Sequence, residues 1–515
     1  MVSLMRTGKL ALIIAATAVL FVPRAGSAQA SAYVPLDDVS YGFVDALIAR
    51  GQMKNLSGLE RPYTRGELAS AIDSARAHVT SRVLLSWLDA LASSISKYAS
   101  SAASDSTGEV HARFGGDLYA TAQSSGRREL MLADARHDFE PGATIRMVMG
   151  GGPIAGSIRG LIDNRLKTDP EFSGRKDRKV DGRIEDGYFS GQWKYGEIAV
   201  GRLARNWGPP ALDGLQLGHY AYTYDQLYAK VGSPAIHIST VLARLDDDTT
   251  ANGTHVARYF SIHRLSLRHA SWEIGAMESF LYSGVGRGFE PTLSNPFNLY
   301  SLSWRNERAD GNLAMGLDAM WRTRRFGVLS TQFFLDDLQI DKCDTICHEP
   351  SSYGLTFSAE GLPLRGDHRA FASYTRVTNL AYRTPNPHER YATFDVGLGR
   401  GFSDYDEARI GADIAAIPRA SLRVYGAYRR QGQGDYRAPY PAKSSYASTP
   451  LIFSGVVMKV ARVGMTAATA FRSLEASADI GVNHVSNADH VSGRTNSAFE
   501  GRLKLSWVPR LFADF

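Results

Sequence analysis

The sequence predicts a mainly β protein: a transmembrane antiparallel β-barrel of about 18 strands, preceded by a small periplasmic segment of three helices. Three observations predict it. From about residue 110 apolar and polar residues alternate with a period of two, the chain ends on an aromatic, Phe515, and its first residues read as an export signal.

The export signal comes first. Arg6 and Lys9 precede the apolar run Leu10 to Val22, and Ala28-Gln29-Ala30 supplies a small-x-small cleavage pattern, so residues 1–30 are expected to be removed. Pro23 and Arg24 follow the run too soon for a good spanning helix. Removal takes three cations (Arg6, Lys9 and Arg24) and no acid from a formal net charge of +6. No long basic block is left, so nucleic acid is not an implied partner. No later apolar run reaches the roughly 18 residues that a spanning helix needs. A barrel reconciles a polar chain with a membrane, because only alternate strand residues face lipid.

Residues 31–99 read as a periplasmic helical segment. Val39, Phe43, Leu47 and Ile48 fall on one helical face, with Gly51 as the stop. Thr64 and Glu67 have capping-box spacing ahead of Leu68, Ile72 and Val79. Val83, Leu84, Trp87, Leu88, Leu91 and Ile95 mark a third helix. Residues 100–109, rich in Ser and Ala, read as a linker.

Residues 110–515 are expected to form the barrel. Leu422, Val424 and Gly426 alternate with Arg423, Tyr425 and Ala427. Similar alternation runs through Leu355, Phe357 and Ala359, through Phe394, Val396 and Leu398, and through Leu503, Leu505 and Trp507. In each case one face suits lipid and the other a wet lumen. Phe260 to Leu267 breaks phase, which predicts a bulge or a lumen-facing apolar residue. Pro509 interrupts the last strand, a position tolerated near a strand end or bulge. At roughly 22 residues per strand and connection this length holds about 18 strands. The polar stretches 164–186, 282–296, 336–352, 380–390 and 430–450 are candidate outer loops.

Cys343 and Cys347 are close enough to close a small loop as a disulfide in an oxidising compartment. A metal reading that adds Asp344 and His348 lacks a fourth convincing ligand, so no metal and no cofactor is expected.

The block Gly201-Arg202-x4-Trp207-Gly208-Pro209 could bind an acidic sugar. Trp207 offers a flat face, and Arg202 and Arg205 offer donor forks that suit carboxylates. The competing reading is a plug or barrel corner in which Trp207 is packed. Further along, Tyr382 and Arg383, and Tyr436, Arg437 and Tyr440, pair aromatics with cations in the predicted outer loops. They suit a uronic sugar, or the aromatic girdle of a barrel. His255, Ser261 and His263 share one strand face, but no G-x-S-x-G elbow locates a nucleophile, and no enzyme is expected.

The chain resembles the Wzi family of outer-membrane capsule-assembly proteins. The resemblance rests on Tyr33-Val-Pro-Leu-Asp-Asp38, Leu47-Ile-Ala-Arg-Gly51 and Arg61-Pro-Tyr-Thr-Arg65, on the Gly201 to Pro209 block, and on the order of signal, helices and long barrel. It implies a monomeric barrel in the bacterial outer membrane, with a helical bundle at its periplasmic end, that binds capsular polysaccharide at the cell surface and helps attach or organise it; the arginines among the candidate residues suit an acidic surface polysaccharide. The competing function is a porin, distinguished by an open bore. Val39 to Glu67 also resembles half of an S-layer-homology module, which implies a cell-wall polymer as a partner of residues 33–99. The terminal Phe515 resembles the signal read by the barrel-assembly machinery, and the barrel wall implies outer-membrane lipid.

Overall fold

The computed structural model describes residues 29–100, 109–132, 138–307, 309–337, 350–509 and 513–514. The cleavage pattern apart from its last two residues, most of the linker, Cys343, Cys347 and Phe515 lie outside these residues.

Eighteen antiparallel strands form a closed barrel, as the alternation predicts. Closure is made by Thr495–Trp507 against His111–Gln123, from Leu118 opposite Trp507 to Gln123 opposite Arg502. Pairing lapses around Pro509 and resumes at Ala513 and Asp514, opposite Phe114 and Arg113. The proline therefore sits in a break between two paired stretches, where its missing N–H costs no ladder hydrogen bond.

Short and long connections alternate. One end of the barrel carries tight turns such as 152–153, 194–195, 323–327, 364–368 and 472–473; the other carries the long loops. This asymmetry assigns the tight end to the periplasm. Among the predicted outer loops, 164–186, 282–296 and 380–390 overlap long connections, and 430–450 lies almost wholly within one.

On the wall, Ile145, Phe189, Leu317, Ile410, Val463 and Leu505 are exposed, as a lipid-facing surface requires. The phase break at Phe260 to Leu267 is not a bulge: pairing with Trp272–Gly284 is continuous, Leu265 and Leu267 are exposed, and Phe260 and Ile262 are fully buried. These two face a packed interior, so apolar side chains are accommodated there.

One expected strand is absent. Thr393 to Gly397 belongs to the 378–404 connection, where Ala392–Thr393 and Val396–Gly397 make a minimal hairpin. Phe394 (φ 49°) and Asp395 (φ 61°) are both left-handed, the conformation of a two-residue hairpin turn. Alternation over so few residues fits a hairpin as well as a wall strand.

The helical segment forms α1 (Ser40–Ala49), α2 (Arg65–Arg76) and α3 (Arg82–Ile95). Gly51, with φ 70°, follows the end of α1, and Thr64 and Glu67 form the capping box of α2. Phe43, Leu47, Leu68, Ile72, Trp87, Leu88 and Leu91 share one core that also takes in Ala415 and Ala470 of the barrel. The segment is tied to the tight-turn end: Trp87 Nε1 donates to the Ile417 carbonyl (3.2 Å), Arg322 to that of Leu56 (2.9 Å), and Arg268 to that of Lys54 (3.0 Å).

Its charged anchor is Lys97, buried between Asp38 (2.8 Å) and Glu475 of the wall (2.5 Å). Burial pushes the Asp38 carboxyl up, but Lys97 and the Ser40 hydrogen bonds outweigh it and hold the group at about 2. Lys97→Met strands two buried carboxylates, at a cost of about 3–5 kcal/mol. The expected result is faster proteolysis within residues 31–99 while the barrel stays resistant; equal protection of both parts would refute this anchor.

Candidate functional site

Two chain segments meet inside the bore. From the periplasmic side, Ser57 to Arg61 enters; from the outer side, the 204–223 connection folds inward. They join as a short antiparallel ribbon, Glu60 opposite Trp207 and Arg61 opposite Asn206, with the Gly208 N–H donating to the Leu59 carbonyl (3.0 Å).

The wall satisfies the polar groups of this plug. Gln332 Nε2 donates to the Trp207 carbonyl (2.8 Å), and its Oε1 accepts from the Leu215 N–H (2.7 Å). Gln216 donates to Ser279 Oγ (2.8 Å) and to the Ala314 carbonyl (3.1 Å). From the 378–404 connection, the Tyr382 and Tyr391 hydroxyls donate to the carbonyls of Leu215 and Gln216, both at 2.7 Å. Trp207, Leu215, Leu217, Phe260, Phe334, Tyr382, Tyr391 and Tyr436 make one buried cluster. Packed side chains obstruct the bore at mid-height.

Glu60 is the electrostatic pivot. It accepts from Arg264, Ser266, His237 Nε2 (2.8 Å) and Ser239 Oγ (3.1 Å). Arg264, wholly buried, also reaches Asp318 (2.7 Å) and lies 3.7 Å from Glu273. Burial pushes the Glu60 carboxyl up, but Arg264 and His237 outweigh it and hold it well below the usual range.

Above the plug, the outer face carries a cleft of about 710 Å³. Five connections build it: 124–137, 164–180, 378–404, 432–457 and 487–494 contribute Arg127, Glu171, Phe172, Asp395, Phe402, Asp435, Arg437, Asp489, His490 and Arg494. Arg437 donates to the Asp395 carbonyl (2.8 Å), pairs with Asp435 (3.2 Å) and lies over the Tyr436 ring. Arg494 pairs with Asp489 (2.9 Å), and Glu171 accepts from the Tyr220 hydroxyl (2.7 Å). The surface offers donors and acceptors beside the half-buried Phe402, while Phe172 is packed against Tyr222 and Phe394.

The predicted site residues separate into three places. Arg202 shares the face of exposed Ile198 and Val200, outside the bore, and forks onto Asp225 (2.8 and 3.2 Å). Arg205 and Trp207 are in the plug: the Arg205 guanidinium lies 3.4 Å from the Tyr228 ring centre and donates to Gln226. The plug reading of this block therefore holds, and burial removes both side chains from contact with a polymer. Tyr382 and Tyr436 are 1 % and 2 % exposed, so neither can stack on a sugar. Arg383 donates to the Pro439 carbonyl, and Tyr440 lies edge-on to Tyr446, both near the outer surface. Of the eight candidates Arg437 alone lines the cleft. Its other charged members are spread over five loops, with no local pattern to mark them.

Ser261 and His263 are on the outer wall, covered by the short helix Tyr300–Asn306. Glu278, 3.5 Å from His263, accepts from the Tyr300 N–H and the Ser301 hydroxyl, and so anchors that helix.

A closed barrel with an apolar exterior, a polar and obstructed interior and asymmetric connections is an integral protein of the bacterial outer membrane. Over 93% of its length it is similar to the whole of Wzi, an outer-membrane protein involved in group 1 capsule assembly in Escherichia coli and described as a carbohydrate-binding β-barrel, with 12% identity and a TM-score of 0.61. The resemblance expected from the sequence is thus borne out as a likeness of fold. Acinetobacter baumannii OccAB4 aligns with 79% of the chain and 98% of its own, at 12% identity and a TM-score of 0.44. Pseudomonas aeruginosa OpdK with vanillate gives the same coverage of this chain, 99% of its own, 12% identity and 0.44. No family model matches the sequence, and no curated protein matches it.

Proposed function

We propose that the protein binds a capsular or exopolysaccharide at its outer face and helps hold it at the cell surface, without catalysis. The observation that carries this reading is the pairing of an obstructed bore with a charged outer cleft. An obstructed bore argues against passive solute flow, and the cleft sits where a surface polymer would pass. Its interspersed arginines and carboxylates suit a polyhydroxylated chain with scattered carboxylates, and the half-buried Phe402 supplies an aromatic face for sugar C–H surfaces. Weak contacts repeated along a polymer gain strength from effective concentration.

The N-terminal helices serve this reading as the periplasmic closure of the barrel. The Thr64 and Glu67 side chains of the S-layer-like stretch cap α2, and Arg61 pairs with Asp45. A contact with cell-wall polymer would fall to exposed residues of α2 and α3, such as Asp73 and Arg76.

The test is calorimetric titration of the purified protein with an acidic bacterial polysaccharide. Arg437→Ala removes charge-assisted hydrogen bonds worth roughly 1.5–3 kcal/mol, so affinity for a short oligosaccharide is expected to fall about tenfold or more. Unchanged affinity in Arg437→Ala and in Arg127→Ala would move the binding site elsewhere. No binding by the parent protein to neutral or acidic polymers would end the proposal.

A further inference from the structure

The lipid-facing wall is not uniform. Near the periplasmic end it carries an apolar groove of about 690 Å³ across the strands from Trp272–Gly284 to Arg369–Val377. Its floor is made of small side chains, with Ala319 opposite Thr331 and Ala359 opposite Ala372. Two cross-strand aromatic pairs wall it, Trp272 with Trp321 and Phe357 with Tyr374. A smooth barrel wall needs neither the missing volume nor the flanking rings.

The turns below this groove are basic. Turn 323–327 is Thr-Arg-Arg-Phe-Gly and turn 364–368 is Leu-Arg-Gly-Asp-His. Arg324, Arg325 and Arg365 are exposed and form no hydrogen bond or ion pair within the described residues. The turns are successive on the periplasmic rim, two strands or roughly 10 Å apart. Asp367, their one acid, lies beside Arg50 of the helical segment, which donates to its carbonyl (3.2 Å). Phe326 and Leu364, also exposed, would lie at the lipid boundary.

We propose that this groove is a binding site for an anionic phospholipid of the inner leaflet, with an acyl chain in the groove and the phosphate held by Arg324, Arg325 and Arg365. Three features select this occupant. The groove opens onto the bilayer, so an acyl chain is the adjoining medium. It lies at the tight-turn end, which places it in the inner leaflet. Guanidiniums with no carboxylate partner (Arg325 lies over the Phe326 ring) choose a negative headgroup, since arginine forks match phosphate oxygens. Small residues flanked by aromatics let a chain lie closer to the wall than elsewhere, and dispersion contacts grow with that closeness.

Native mass spectrometry of the full-length mature protein, released from detergent with equimolar phosphatidylglycerol and phosphatidylethanolamine of matched acyl chains, tests this. The expected result is a several-fold excess of phosphatidylglycerol adducts. It should fall to about one in a variant carrying Arg324→Gln, Arg325→Gln and Arg365→Gln, and stay unchanged in Lys194→Gln on another periplasmic turn. Ala359→Trp fills the groove and should reduce adducts of both lipids. Equal adducts in the parent protein, or an undiminished excess in the triple variant, would overturn the site. So would a two-chain species lost in Ala359→Trp without a lipid adduct, since it would make a second copy the occupant.

Discussion

Replacing residues 206–217 by a short Gly-Ser linker is expected to turn a non-conducting barrel into a conducting one. Reconstituted in a planar bilayer, the parent protein should show no discrete steps and the variant should show them. The reason is geometric: a barrel of this strand number leaves an aqueous channel unless something fills it. Here the 204–223 connection supplies one half of the central ribbon and the carbonyls that the Tyr382 and Tyr391 hydroxyls meet. Steps in the parent protein would refute the closed bore and favour the porin reading. A variant that stays closed would show that the N-terminal segment and the remaining outer connections seal the bore without this loop.

Arg264→Met is expected to be the most damaging single substitution. It leaves Glu60, Asp318 and Glu273 in a buried space without their shared cation. Removing one partner of such a group costs about 3–5 kcal/mol, because the remaining charges stay desolvated. Denaturant unfolding in detergent should show an earlier midpoint, and Arg264→Lys should recover part of the loss, since lysine keeps the charge but not the fork. An unshifted midpoint in Arg264→Met would mean that the network contributes nothing net.

The same network gives the plug a pH dependence of defined sign. Glu60 is held below its ordinary value in the folded protein, so its contribution is complete above the unfolded value of about 4.3 and is lost as pH falls through the lowered folded value. Channel activity of the parent protein should therefore appear in strong acid and be absent near neutrality. In Glu60→Gln the acid-induced onset should disappear; its persistence would assign the transition to another carboxylate.

What could be read from the sequence was what is locally encoded. The alternation at Leu503, Leu505 and Trp507 reports a lipid-facing strand, because a pleated strand turns every second side chain the same way. Thr64 and Glu67 report a helix start, because the cap is closed within four residues. The plug is not of this kind. Trp207 meets Glu60 and Gln332, and Leu215 meets Tyr382, across separations of more than a hundred residues. Tyrosine suits a packed interior and a sugar surface equally well, so Tyr382 and Tyr436 could not be placed from their side chains alone. The cleft is harder still, since five connections each lend it one to several residues.

The ribbon between Glu60 and Trp207 joins a segment rooted in the periplasm to one rooted at the cell surface. A polymer held at the outer connections would exert drag whenever the cell moves through fluid. Part of that tension would pass down the plug, through Arg264 and its carboxylates into the wall and through residues 57–61 to the helices beneath. The ribbon would in this sense also be a strut, carrying load to Arg264 and its carboxylates rather than leaving it on the loops.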